Sequence, residues 1–318
     1  MTTIDGALRG NPFSVDWFRC RDAAESLYGF EAIHQVEPWS HLPALSQIVF
    51  KTLFVSICHQ FNWDFLQAAM AAWLLPAPDL RLDEVAMTRP SQIARMLDAY
   101  PKPERVRAQQ RARMLRATAE QLKLMISSGH LKALMAAPRL DGPGGFYELM
   151  RAIPAFAEDE LEKKVRVLAH DLHREGILIF TDPENLKPAV EYHILRLYLR
   201  TGRVYAVHES VRERLRSPGL TSRDRLVKLL RKTVEEAMTL TAFYGRMDVA
   251  TLNYVEWQIG RSICMPDAPR CQAPPLDELP ADIAALSPQQ CVYAGFCRSF
   301  TEASYGWFHE PHFQKAIY

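Results

Sequence analysis

The sequence predicts an all-α protein. Apolar residues recur at helical spacing almost throughout its 318 residues, and period-2 alternation rich in β-branched residues is nearly absent. The apolar stretches are punctuated by Pro and Gly at Pro76–Pro78, Pro101–Pro103, the DGPGG segment from Asp141, and Ser217–Leu220. These interrupt helical geometry and predict connections between helices. With 48% hydrophobic residues the chain can bury a substantial core and is long enough for two domains or one large one.

Element by element, Ala108, Ala112, Leu115, Ala119 and Leu122 form one stripe between Glu104 and Met125, with Arg105, Arg107, Arg111 and Arg113 expected largely off it. Leu161, Val165, Leu168 and Leu172 form a second stripe. Leu226, Leu230, Val234 and Ala237 form a third, and Leu252, Val255 and Ile259 a fourth. In FTDPENLKPAVEYHILR, Asp182 is an expected N-cap with Pro183 at the first helical position, and Pro188 suits the first turn of the next helix. Glu191 is therefore expected near a helix N-terminus, where the dipole and free amides favour a carboxylate.

The 38 basic and 37 acidic residues leave a net charge of +1, so no whole-chain field gathers polyanions. A nucleic-acid partner would have to use a local patch. One candidate runs from Arg196 to Lys232, where eleven basic residues meet only Glu209, Glu213 and Asp224. Arg196, Arg200, Arg212, Arg214 and Arg216 are its candidate DNA contacts; a solvated helix face is the plain alternative. The longest apolar run, Ala68–Leu75, is too short to span a bilayer, and the N-terminus lacks a basic-then-apolar leader. A cytoplasmic protein with no membrane partner is expected, as a monomer.

Six cysteines in a reducing compartment argue for thiols or metal ligation, and four of them crowd into the last fifth of the chain. Cys264, Cys271, Cys291 and Cys297 have the spacing C-x6-C-x19-C-x5-C. Four thiolates in a compact loop after a helix can hold a [4Fe-4S] cluster, and a four-cysteine zinc site is the alternative. Cys20 and Cys58 read as ordinary buried thiols.

The x6 and x5 intervals resemble the cluster loop of endonuclease III-type DNA glycosylases, of the helix-hairpin-helix superfamily. The middle interval departs from it, since the Pro- and acid-rich stretch 272–290 stands where those enzymes have two residues. The segment AVEYHILRLYLRTGRVY resembles the stretch in which their catalytic aspartate begins a helix in a V-D-x-H-x-x-R pattern. Glu191 occupies the aspartate position, His193 the histidine and Arg196 the arginine. The resemblance implies a two-lobed helical glycosylase-like fold with a C-terminal cysteine cluster loop. It also implies a structural cluster and a carboxylate at Glu191 that stabilises the sugar cation or orients a water. A helix-capping or ion-paired glutamate is the plain reading of Glu191; Asp182 and Asp64 are the substitutes. The L-P-G-V-G hairpin that grips a DNA phosphate in that family is missing, as is its Schiff-base lysine, so lyase activity is not expected.

The body also resembles the queuosine-salvage nucleotide N-glycosylases, through KKVRVLAHDL upstream of VEYHIL, FNWDFL at Phe61–Leu66, ERVRAQQRARML near Glu104, and NYVEWQIGR. That family's D-Y pair falls on Glu191 and Tyr192. Phe61, Asn62, Trp63, Tyr192, His193 and Trp257 become candidate contacts for a heterocyclic base, although large aromatics more often pack in a core. The expected organisation is residues 1–44 packing with a C-terminal lobe, 45–186 as a helical barrel domain, and 187–318 as the catalytic-acid helix and iron-sulfur domain. The expected function is a monofunctional DNA N-glycosylase excising a modified base, bulky or hypermodified ones included, in repair or phage defence. The alternatives are a nucleotide N-glycosidase acting on a modified nucleoside monophosphate and a non-catalytic DNA-binding relative.

Overall fold

The computed structural model describes residues 10–33, 37–77, 79–217, 219–221, 224–267 and 269–306. Among the described residues, helices account for 60% and strands for 2%. In chain order the main elements are β1 (Phe13–Val15), α1 (Trp17–Ser26), α2 (Ala44–Ile57), α3 (Trp63–Leu74), α4 (Ala108–Ser127) and α5 (Lys163–Arg174). After them come α6 (Tyr192–Thr201), β2 (Val204–Ala206), α7 (Glu209–Arg216), α8 (Arg225–Gly245), α9 (Val249–Ser262) and α10 (Ala281–Leu286). The four sequence stripes fall on α4, α5, α8 and α9, and their apolar positions within those helices are buried apart from Ala108. No helix among the described residues is long and apolar enough to cross a membrane.

The chain divides into two compact units, Met1–Ile33 with Lys187–Gln314, and His34–Leu186. The boundaries lie at 33/34 and 186/187. A small sheet explains why the N-terminal segment belongs with the C-terminal half: β1 pairs antiparallel with β2 in the register Phe13↔Ala206, Ser14↔Tyr205 and Val15↔Val204. Asp16, whose side chain accepts from the Arg19 N–H, then caps α1, and Cys20, Ala23 and Ala24 of that helix are buried. Small residues bring α1 close to α8, where a Cβ on Gly245 would stand 3.6 Å from that of Ala24.

In the His34–Leu186 unit, α2 is buried along most of its length, and two buried cations stop its C-terminal end. Arg111 donates to the carbonyls of Ile57 (3.1 Å), His59 (2.6 Å), Arg105 (2.9 Å) and Val106 (2.6 Å). Lys164 Nζ donates to Ser56 O at 2.7 Å. Cations at the negative end of a helix dipole satisfy carbonyls that have no partner within the helix. The expectation that Arg111 lies off the α4 stripe is therefore corrected. It stands three residues after Ala108 and four before Leu115, on the inward face. Lys51, also buried, pairs with Glu175 and lies 4.4 Å from the ring centre of Trp39, whose Nε1 donates to the same carboxylate at 3.1 Å.

Candidate functional site

Residues 186–191, outside any helix or strand, lead into α6, held midway by Ala189 N–H donating to Asn253 Oδ1 at 2.9 Å. The helix starts at Tyr192 with Glu191 as N-cap, so Pro188 precedes it rather than forming its first turn. The Glu191 carbonyl accepts the first helical bond from Leu195 N–H at 2.8 Å, while its carboxylate does not cap the helix. That carboxylate is buried, with 5% of the residue exposed. Its Oε1 lies 3.8 Å from His193 Nε2, and the Tyr192 and His193 rings sit 4.0 Å apart between centres.

The His193 ring has a fixed orientation. Arg196 Nη2 lies 3.0 Å from His193 Nδ1, and because a guanidinium only donates, Nδ1 is the acceptor. A neutral imidazole then carries its proton on Nε2, the nitrogen that faces Glu191. Arg196 is itself held by the carbonyls of Cys264 (2.7 Å, from Nε) and Gly260 (2.7 Å, from Nη2). Gly260 permits this close crossing of α6 and α9: a Cβ there would stand 3.0 Å from His193 Cβ and 3.2 Å from its carbonyl oxygen. Glu191, His193, Arg196 and the first cysteine of the C-terminal cluster thus form one continuous chain of neighbours.

The cysteines follow directly from α9. Cys264 N–H donates back to Ile259 O at 2.8 Å, and Cys264, Cys291 and Cys297 are buried. Cys291 N–H donates to Cys271 O at 2.8 Å, so the ends of the 272–290 insertion meet. The insertion itself is folded rather than looped out. Within it α10 buries Ile283, and Asp282 accepts from Tyr254 Oη and Ile33 N–H, each at 3.2 Å. The four thiols influence one another. A hydrogen bond with Cys291 lowers the Cys271 thiol to about 7 against the opposing effect of burial, with Arg200 assisting. Burial raises Cys297, and charge on Cys264 or Cys271 raises it further. Among the described residues no group of three or more His, Cys, Asp and Glu side chains that could hold a metal ion is found.

Two of the five candidate DNA contacts are corrected by burial. Arg196 is committed as described, and Arg200, fully buried, serves the cysteine loop. Arg203 and Arg231 are buried as well, and Arg223 lies outside the described residues. Six of the eleven basic residues remain, three of them Arg212, Arg214 and Arg216 on α7, and Arg212 and Arg216 pair with Glu209 at 2.9 and 3.6 Å.

The candidate base contacts are divided between the two units. Phe61, Asn62 and Trp63 belong to the His34–Leu186 unit, where Phe61 stacks on Tyr100 with centres 3.7 Å apart and Trp63 meets Phe54 edge-on at 4.4 Å. Asn62 caps α3 by accepting from Phe65 N–H at 2.8 Å. These are packing and capping roles. Trp257, in the other unit, lies beneath the Arg261 guanidinium at 4.5 Å. Of the substitute acids, Asp64 is exposed, and Asp182 accepts from the Leu140 and Asp141 N–H groups at 2.7 and 3.2 Å. Those bonds, with one from Asn185, outweigh burial and hold the Asp182 carboxyl below its usual range.

Sequence reasoning missed the buried pair of Arg203 and Glu256, in which Arg203 lies 3.7 Å from the Tyr198 ring centre and 4.9 Å from that of Tyr293. The available signal was that Glu256 falls on the α9 stripe, four after Leu252 and three before Ile259. It also missed His59, which burial, with Arg111 and Lys164, lowers to about 2, so that it is neutral at physiological pH and unsuited to donate a proton. No protein-family model matches the chain, and no curated protein is significantly similar to it.

Proposed function

We propose that the protein is an N-glycosidase that hydrolyses the base-sugar bond of a modified nucleotide in DNA, with Glu191 as its carboxylate and the four C-terminal cysteines holding a structural [4Fe-4S] cluster. The observation that carries this reading is the buried Glu191 carboxylate at the start of α6, faced by His193, whose tautomer Arg196 fixes. Cleavage of an N-glycosyl bond builds positive charge on the sugar. A preoriented carboxylate in a site of low dielectric opposes that charge or aligns the attacking water. His193 orients the carboxylate, and Arg196 ties both to the cysteine loop. The cluster, when bound, supplies cross-linking of that loop and no chemistry at the sugar. Cys264, Cys271, Cys291 and Cys297 are the residues that would hold it.

A second reading has a specific observation in its favour. Burial of Arg196, Arg200, Arg203 and Arg231 removes four cations from the patch that pointed to DNA, and a smaller anionic substrate, a modified nucleoside monophosphate, needs fewer phosphate contacts. The experiment is to incubate the protein with duplex and single-stranded DNA carrying modified bases, and separately with modified nucleoside monophosphates, and to identify released base by mass spectrometry. Release from DNA supports the first reading and release from monophosphates alone the second. Release from neither set removes the assignment.

A further inference from the structure

The stretch of chain that carries Glu191 runs along one face of α9. At one end Ala189 N–H donates to Asn253 Oδ1 at 2.9 Å, and at the other a Cβ on Gly260 would stand 3.0 Å from that of His193. Asn253 and Gly260 are two helical turns apart and so share a face. Trp257 stands between them on that face, four residues after Asn253 and three before Gly260, just as Glu191 stands midway between Ala189 and His193. Half-buried Trp257 is thus the α9 residue that flanks Glu191. One turn further on, Arg261, also half-buried, holds its guanidinium 4.5 Å from the centre of the Trp257 ring.

We infer that Arg261 binds the phosphate of the substrate nucleotide, with Trp257 as the platform that orients its guanidinium. This inference rests on the glycosidase reading above and names the group that the substrate's phosphate meets. A nucleotide brings negative charge towards a buried carboxylate, so binding beside Glu191 needs a cation. The arginines that follow Glu191 in the chain are buried and committed elsewhere. Arg196 is held by the carbonyls of Cys264 and Gly260, Arg200 by those of Met265, Pro266 and Gly306, and Arg203 by Glu256. Arg261 is placed differently, at the half-exposed end of the face that Trp257 occupies. A guanidinium stacked by its face on an indole keeps its N–H donors in its own plane, where two of them can meet a phosphate edge-on. An ammonium has no such fork and does not stack in this way.

The test titrates guanosine 5′-monophosphate, guanosine and a single-stranded oligonucleotide into wild type, Arg261→Met, Arg261→Lys and Trp257→Leu by calorimetry, alongside the base-release assay. Wild type is expected to bind the monophosphate on the order of tenfold more tightly than the nucleoside, and Arg261→Met to lose that advantage, because a charged hydrogen bond is worth about tenfold or more. Arg261→Lys, which keeps charge without the fork, is expected to lose part of it, and Trp257→Leu about threefold. The same loss on the oligonucleotide in place of the monophosphate supports the inference with DNA as the source of the phosphate. Undiminished binding of both phosphate-bearing ligands by Arg261→Met overturns it, as does a wild type that binds neither. If Arg261→Met does not fold, Arg261→Lys decides, and undiminished binding in it overturns the inference. Phosphate binding that depends on Arg261, without base release from any substrate, sinks the glycosidase reading alone. Base release by Arg261→Met with an unchanged KM sinks the inference alone.

Discussion

Glu191 shows how much a single position depends on what surrounds it. By composition it is one of many glutamates, but as the N-cap of α6 it is buried with its carboxylate not turned back to the helix amides. Glu191→Gln keeps the shape and deletes the charge opposing the sugar cation, so base release is expected to fall about a hundredfold or more, roughly 3 kcal/mol of transition-state stabilisation, with binding kept. Glu191→Asp withdraws the carboxylate by one methylene and is expected to lose activity as well. Single-turnover rates check both, and normal turnover in Glu191→Gln removes the residue from the mechanism. Asp182 has a different part. Its folded-state carboxyl is held below the ordinary value of 3.8, so its stabilisation is fully present above that value and is lost as the pH falls through the lower, folded one. Asp182→Asn is expected to flatten the stability-pH curve below about pH 4, measured by urea unfolding at stepped pH. An unchanged slope would show that the Asp182 hydrogen bonds do not favour its charged form.

Between elements, the crossing of α6 and α9 sets the geometry of the proposed site. Gly260→Ala would place a methyl 3.0 Å from His193 Cβ, close enough that the helices must separate by a few tenths of an ångström. The expected result is a folded protein with turnover reduced more than stability, since ~1 Å of displacement can cost about a hundredfold in rate. Kinetics alongside thermal melting separate the two effects, and unchanged kcat would show that α6 tolerates the shift. The Arg203–Glu256 pair joins the residue preceding β2 to α9, and Tyr293 Oη, between two cysteines in sequence, donates to Glu256 at 3.3 Å. Glu256→Gln leaves a buried guanidinium without its counter-charge and is expected to destabilise by about 3–5 kcal/mol. Replacing both residues by Met should cost less than the single change. Chemical denaturation of the three proteins checks the order.

At the scale of the whole molecule, a net charge of +1 leaves DNA binding to whatever basic residues stay accessible. With four of the arginines buried, Arg212, Arg214 and Arg216 carry much of what remains, and two of them already share Glu209. Neutralising the three together is expected to weaken duplex binding and to flatten its dependence on salt, because fewer counterions are released. Fluorescence anisotropy across a salt series measures both. A triple variant with wild-type affinity and slope would remove α7 from the interface and favour the monophosphate substrate.

The sequence by itself determined the helical class and the positions of the long helices, because the spacing of apolar side chains is a local signal that the chain carries at every turn. It also marked Glu191 and the four cysteines as the residues to follow. Tertiary structure alone decided which charges are surface and which are interior. Arg111, expected off its stripe, Arg196 and Arg200, expected as DNA contacts, and Arg203, which the sequence did not single out, are buried among carbonyls, a thiol and a carboxylate, many of them supplied from dozens of residues away. The pairing of β1 with β2, which joins chain segments nearly 190 residues apart, was likewise out of reach. Three-residue strands carry too little alternation to announce themselves, and their stability comes from the partner strand and the helices packed on it.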